Sequence, residues 1–206
     1  MLNTFLLSMR GTPYTYYGDE LGMTNLDMPK IEEYVDVAAI GDYKTAQKQG
    51  KDMQEFMTQL NFYSRENGRT PMQWNDSAQG GFTQGTPWKK VNPNYTEINV
   101  AVQEKDSNSV LNHFRKMVQL RKENEGLIYG KYQLIQQEHP QVYAYTRTLG
   151  QEKWLVLLNF SSENTDFDSD LLTQVNEVKM NNYEQFNRTN NKVTLLPYQA
   201  LVISLL

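Results

Sequence analysis

Residues Gly11–Asn25 read GTPYTYYGDELGMTN. Within this stretch Thr12–Tyr17 is β-branched and aromatic and too short for a helix. It predicts a strand, with Pro13 at its first position, where a missing N–H is tolerated. Immediately before it, MLNTFLLSMR (Met1–Arg10) predicts a helix with Leu2, Phe5, Leu6 and Met9 on one face. Gly11 and Pro13 stop that helix. A helix leading straight into a strand marks an α/β layer. Only one such pair is present, and one parallel strand cannot make a sheet. The sequence starts in the middle of an architecture.

Downstream, residues 24–44 read as irregular, with a short helical turn or two in IEEYVDVAAI (Ile31–Ile40). Thr45–Tyr63 predicts one helix whose Met53, Phe56, Met57 and Leu60 form an apolar face, read as core packing. Then comes GRTPMQWNDSAQGGFTQGTPWKKVNPNY, Gly68–Tyr95, which carries two of the three tryptophans. It is too broken for a helix and too long for an ordinary turn. Residues 107–125 predict the clearest helix, capped by Ser107 or Ser109. Val110, Leu111, Phe114, Met117, Val118 and the stem of Arg121 form its stripe, and Gly126 occupies the C′ position. His113 on that helix has no acidic or His partner one turn away and reads as a surface or half-buried side chain. From Tyr129 the pattern alternates: KYQLIQQ, VYAYTRTLG, KWLVLLNF and LVISLL are strands, and the tail is an antiparallel β-domain of six to eight strands.

The chain has 206 residues, enough for one good domain or two small ones. With 21% charged and 39% hydrophobic residues it is a soluble globular type, and its mean hydropathy of −0.68 makes it a polar one. A net charge of −4 and the lack of a basic stripe argue against nucleic acid as a partner. There are no cysteines, so disulfide scaffolds, thiolate metal sites and Cys nucleophiles are excluded; this leans the expected compartment towards the cytoplasm. Two histidines are too few for a His-rich metal cluster or a Ser–His–Asp site. Met1–Met9 has no basic leader or cleavage pattern, and nothing approaches a membrane span. The 13 tyrosines against 8 phenylalanines suit surfaces that face sugars or partners.

Asp19 and Glu20 are the acidic pair at the end of the predicted strand, where barrel enzymes place catalytic groups. Adjacent residues on an extended chain point to opposite sides, so the two cannot address one bond. Each reads either as a solvated loop acid or as a site residue. Arg69, before Thr70 and Pro71, can fork onto a carboxylate or onto sugar hydroxyls, or serve as a loop salt bridge. Trp74 and Trp88 either stack on a sugar ring or fill the space beneath the loop. The triplets at Asn94, Asn159 and Asn187 match glycosylation acceptors but need a secreted context, and are set aside. No carboxylate pair suited to cleaving a glycosidic bond can be nominated.

Together, GTPYTYYGDELGMTN (Gly11–Asn25) and RTPMQWNDSAQGGFTQGTPWKKVNPNY (Arg69–Tyr95) resemble the C-terminal part of the α-amylase superfamily, in its oligo-1,6-glucosidase and α-glucosidase branch. The resemblance covers essentially the whole chain. It implies an α+β fragment: the last strand and helices of a (β/α)8 barrel over 1–126, followed by an antiparallel β-sandwich over 127–206. Met1–Arg10 would be the seventh barrel helix and Thr12–Tyr17 the eighth strand. Residues 18–106 would form the excursion after that strand, on the active-site face, and 107–125 the last helix. A full barrel takes about 250 residues, and the resemblance puts the nucleophilic Asp, the acid Glu and the third catalytic Asp upstream of Met1. No catalytic, metal or cofactor residue is therefore expected in this chain. Glu20 matches an acid lining the acceptor side of the pocket, and Arg69 an arginine at its mouth; Trp74 and Trp88 become loop anchors.

Two departures stand out. Asn75 follows MQW where the family usually has an acid, and QGGF stands where AGF with a preceding polar residue is usual. The function implied is part of a retaining glycoside hydrolase acting on terminal α-glucosidic bonds of short oligosaccharides, inactive alone. The expected partners are an α-linked oligosaccharide and either the missing N-terminal part of the enzyme or a self-associating copy, with no nucleic acid or membrane. Alternatives are a non-catalytic sugar-binding or interaction module and, within the family, a trehalose-6-phosphate hydrolase, sucrose isomerase or glucosyltransferase.

Overall fold

The computed structural model describes all 206 residues, Met1–Leu206. Six α-helices are present: α1 (Leu2–Ser8), α2 (Val37–Lys48), α3 (Met53–Tyr63), α4 (Val100–Gln103), α5 (Val110–Glu123) and α6 (Glu125–Tyr129). Eight strands follow: β1 (Lys131–Ile135), β2 (Val142–Leu149), β3 (Glu152–Asn159), β4 (Thr165–Asp168), β5 (Val175–Asn181), β6 (Asn187–Thr189), β7 (Lys192–Leu195) and β8 (Ala200–Leu205). The chain divides into two compact units, Met1–Thr15 with Ser107–Leu206, and Tyr16–Asp106.

In the first unit the strands form two antiparallel sheets, of order β1-β2-β3-β8-β5 and β4-β7-β6. The larger sheet is buried on both faces, which is why β3 and β8 read as near-continuous apolar runs rather than clean alternations. Leu155, Leu157, Leu201 and Ile203 face the smaller sheet, where Phe167, Val193 and Leu195 meet them. Trp154, Val156, Leu158 and Val202 point the other way, onto Leu7 of α1, Met117 of α5 and Leu127 of α6. Each such side chain, fully buried, stabilises the fold by about 1.5–3 kcal/mol relative to exposure. The result is a layer of helices, a central sheet and a covering sheet.

The helices differ from their sequence reading in instructive ways. α1 buries Thr4, Leu7 and Ser8, whereas Leu2, on the expected apolar face, is exposed. Thr4 and Ser8 are the inward residues because partners wait for them. The Ser8 and Tyr145 hydroxyls lie 2.6 Å apart, and Thr4 Oγ1 lies 2.8 Å from His113 Nε2. Ser109 caps α5 by accepting from the Asn112 N–H, and Leu111, Met117 and Arg121 are buried as expected, though Val110 is exposed. Gly126 is not a C′ residue: it lies inside α6. A Cβ there would fall 2.7 Å from the Glu152 carboxylate, which accepts from the Gly126 N–H at 2.9 Å.

Two arginines tie helix ends to the sheet. Arg147, with no exposed surface, donates to the carbonyls of Ser8, Leu127, Ile128 and Gly130. Arg121 donates to those of Leu7, Met9, Gly11 and Leu127. Those of Leu7, Ser8, Leu127 and Ile128 are in the last turns of α1 and α6, where helix C-termini leave carbonyls without partners and carry the negative end of the dipole; those of Met9, Gly11 and Gly130 lie just beyond. The expected strand Thr12–Tyr17 belongs to neither sheet. A strand needs a neighbour's N–H and C=O groups, and no segment of this chain supplies them.

In the second unit the expected single helix Thr45–Tyr63 is two helices. α2 ends in a Schellman motif: Lys51 N–H donates to Ala46 O and Gly50 N–H to Gln47 O, with Gly50 at φ 65°. Asp52 then caps α3 through the Gln54 and Glu55 N–H groups. Asp36 caps α2 through Ala38 N–H, so this helix begins inside the region read as irregular. Met57 and Leu60 pack on Leu26, Met28, Tyr34 and Ala39.

Arg147→Leu would leave several buried carbonyls without donors, at roughly 1–3 kcal/mol each. A loss on the order of 3 kcal/mol or more is expected in denaturant unfolding, and an unchanged midpoint would contradict the stapling role. Burial, and then the charges of the chain terminus and Lys116, push His113 down to about 4. The unfolded histidine takes its proton near 6.5 and the folded one only near 4. Stability is therefore complete above about pH 6.5 and falls as pH drops from there to about 4. His113→Gln should remove that portion of the pH dependence, and an NMR titration midpoint near 6.5 in the folded chain would refute the assignment.

Candidate functional site

Glu20 and Arg69 both lie in the Tyr16–Asp106 unit. Glu20 sits in a tight turn after Gly18, whose φ is 93°; its carboxylate folds back to accept from Gly18 N–H at 2.8 Å. Asp19 does the same to Tyr16 N–H at 2.9 Å. Neither carboxylate meets Arg69. The two stretches are nevertheless joined: the Tyr17 hydroxyl lies within hydrogen-bond reach of the carbonyls of Gly68, at 3.0 Å, and Thr70, at 2.9 Å. These are the residues on either side of Arg69.

Arg69 is positioned by a set of charges that sequence reading did not bring together. Its Nη1 lies 3.1 Å from Asp36 Oδ2 and 4.0 Å from Glu66 Oε2. Arg65 Nη2 approaches the same Asp36 oxygen at 3.1 Å. Asp36 is buried; the Ala38 N–H, then Arg65 and Arg69, hold its carboxyl below the usual range. Glu66 has no exposed surface. Burial alone would raise its pKa, but Lys89 and the N–H groups of Val35 and Asp36 outweigh that and hold it low. Lys89 Nζ is 2.9 Å from Glu66 Oε2 and itself buried. It also donates to Glu33 O at 2.8 Å and lies 5.8 Å from the Tyr34 ring centroid. Lys89 was legible only as one of two lysines between Trp88 and Val91; nothing local marks which of the two is buried.

The loop from Gly68 to Tyr95 is anchored by polar groups, not by its tryptophans. Trp74 and Trp88 are 48% and 64% exposed, so the anchoring role expected of them is wrong. Asn92 instead donates to the carbonyls of Thr24 and Asn25, both at 3.1 Å. Gln73, fully buried, donates to Asn94 Oδ1 and Ile98 O. A curved loop offers little apolar surface but many backbone groups, and those must find partners. Of the three glycosylation-type triplets, Asn159 is fully buried and donates to Glu163 O and Leu196 O.

Chemically, the site can present donors. Arg69 keeps Nε and Nη2 free of protein acceptors and is 36% exposed, while Glu66 is neutralised by Lys89 and cannot serve as an acid.

Comparison with known proteins gives the family. The family described as alpha amylase, catalytic domain, matches residues 1–130, and the maltogenic amylase C-terminal domain matches residues 132–202. The chain belongs to the α-amylase family. Within it, the chain is 44% identical over 206 residues to an oligo-1,6-glucosidase of Parageobacillus thermoglucosidasius, covering 98% of this chain and 37% of that protein. It is 39% identical to a trehalose-6-phosphate hydrolase of Bacillus subtilis over 100% of this chain and 37% of that one. Among solved structures it resembles an isomaltulose synthase from Klebsiella sp. LX3, with TM-score 0.94, 39% identity and coverage of 100% of this chain and 37% of that one. The chain thus spans 37% of the length of these relatives. It carries a part of the α-amylase catalytic domain followed by an antiparallel β-sheet domain. No helix is long and apolar enough to cross a membrane.

Lys89→Met strands a buried Glu66 charge, and removing one partner of a buried pair costs about 3–5 kcal/mol. Unfolding of the Tyr16–Asp106 unit, followed by hydrogen exchange, should become easier by that amount. The Glu66→Gln/Lys89→Met double variant should recover part of it; a loss no larger in the single than in the double variant would show that the pair is not coupled.

Proposed function

We propose that the chain is the C-terminal portion of a retaining glycoside hydrolase that acts on terminal α-glucosidic bonds of short oligosaccharides. Residues 1–126 would be the barrel part and 127–206 the sandwich, with the cytoplasm as its compartment. Glu20 and Arg69 are its substrate contacts, Glu20 on the acceptor side and Arg69 at the mouth of the pocket, each orienting sugar hydroxyls. The observation that carries this reading is Arg69 itself. Its Nη1 is paired with a buried acid while the rest of its guanidinium donates to no group of the chain, and such a fork suits two neighbouring hydroxyls. The family relationship supports the substrate class: a relative at 44% identity bears the name oligo-1,6-glucosidase.

Retention of configuration requires a nucleophile and an acid about 5–5.5 Å apart across the scissile bond. The acids of this site are engaged otherwise: Glu66 with Lys89, Asp36 with two arginines, Asp19 and Glu20 with their own turn. The chain therefore holds and orients substrate for carboxylates supplied by another segment. Its protein partner is that segment, the N-terminal part of the enzyme. The exposure of Leu2 and of Tyr14, 86% accessible, supports a surface that another chain covers.

The purified 206-residue chain should not turn over an aryl α-glucoside. Turnover that disappears in a Glu20→Gln/Arg69→Ala variant would overturn the inactivity. Adding a polypeptide carrying the family's three catalytic carboxylates should restore hydrolysis, and restoration should fail with that double variant.

A further inference from the structure

Asp36 occupies an unusual position: it is at once the cap of α2, accepting from Ala38 N–H at 2.9 Å, and the acid shared by two arginines four residues apart. Its own N–H donates to Glu66 Oε1 at 2.6 Å. Glu66 is fixed in turn by Val35 N–H at 2.7 Å and by Lys89. The chain of contacts runs from the buried Lys89 through Glu66 to the backbone at Asp36, and from the Asp36 carboxylate out to Arg69. Every member but the arginines is buried. The carboxylate at its end is held by its helix and by its backbone, so it does not follow the side chains it binds. Arg69 meets this fixed point through Nη1 alone, and its remaining donors carry no partner.

We propose that Asp36 is the positioning residue of the sugar site: it clamps one nitrogen of Arg69 and so aims the opposite Nε and Nη2 edge at two adjacent sugar hydroxyls. The role rests on the reading of Arg69 as a sugar contact. A guanidinium free to turn offers its fork in many directions; one pinned at a single nitrogen offers it in one, and less entropy is lost on binding. Arg65, 71% exposed on the same oxygen, completes the neutralisation of Asp36 without occupying the free edge of Arg69.

Asparagine and serine are also good helix caps. Asp36→Asn and Asp36→Ser therefore keep α2 while removing the clamp. The readout is the rotation of the Arg69 guanidinium, measured by side-chain NMR on the 206-residue chain and assigned with Arg69→Lys. In the parent chain the rotation should be slow. In both variants it should become as fast as in an exposed arginine, with backbone signals of α2 unchanged, and Asp36→Glu should restore slow rotation in part. Titrated isomaltose should shift the Arg69 signals in the parent chain, and its affinity should fall about tenfold in Asp36→Asn, the effect of one charge-assisted hydrogen bond losing its orientation. Slow rotation that persists in both variants, or fast rotation in the parent chain, overturns the clamp. Slow rotation with no isomaltose-induced shift at Arg69 overturns the sugar contact and the positioning role with it, while the ion pair itself stands.

Discussion

Glu66 has no exposed surface, yet its carboxylate is ionised. An ion pair with Lys89 on one oxygen and two backbone N–H donors on the other make that tolerable. A buried charge with fewer partners would take up a proton or unfold its surroundings. Because the partners come from residues 35, 36 and 89, the carboxylate closes separations of about 30 and 23 residues at one point. The start of α2, the loop before Pro71 and the loop after Trp88 are thereby held around it. A small unit with a sparse apolar cluster gains from such a centre what it lacks in core, and the arginine at its rim inherits a fixed support.

The sheet-bearing unit solves a related problem with the opposite sign. Arg121 and Arg147 are buried cations with no carboxylate, neutralised by carbonyl dipoles at the ends of α1 and α6. They share the Leu127 carbonyl, so their repulsion is accepted for the sake of geometry. Burial, and for Arg147 the neighbouring Arg121, lower both pKa values, yet a guanidinium starts high enough to stay charged. A lysine could not replace either: it has three donors at one point, where the structure asks for a planar fork spanning several carbonyls.

What the sequence made legible follows from this contrast. The strands of the β-domain and the helix capped by Ser109 could be read because apolar periodicity is a local signal that burial then obeys. The motif around Arg69 could be read from its resemblance, as could the family. The α1 face was misread because Thr4 and Ser8 are buried through hydrogen bonds to distant residues, His113 and Tyr145, which periodicity cannot see. The break at Gly50 was available, since a glycine three residues before Met53 and two before Asp52 is stop-and-start chemistry; the apolar face across it hid the signal. Asp36, Glu66 and Lys89 were out of reach, because each looks like an ordinary surface charge until the chain closes around it. Thr12–Tyr17 has strand composition but no strand neighbours here, and composition cannot supply them.

The departures around Asn75 show where a local change leaves geometry intact. Asn75 Oδ1 accepts from Ser77 N–H at 2.9 Å, starting a turn in which Gln79, Gly80 and Gly81 all have φ between 59° and 69°. An aspartate would accept the same bond, so the amide alters the charge at this point and not the turn. The second glycine is fixed more tightly: a Cβ on Gly81 would lie 2.6 Å from the Asn75 side chain, and the Gly80 carbonyl accepts from the N–H groups of Trp74 and Asn75. The three left-handed residues in succession reverse the chain abruptly, and that reversal presents Trp74 outward while Gln73 turns in. QGGF is therefore packed against Asn75: Gly81 leaves room for its side chain, and Gly80 accepts from its N–H.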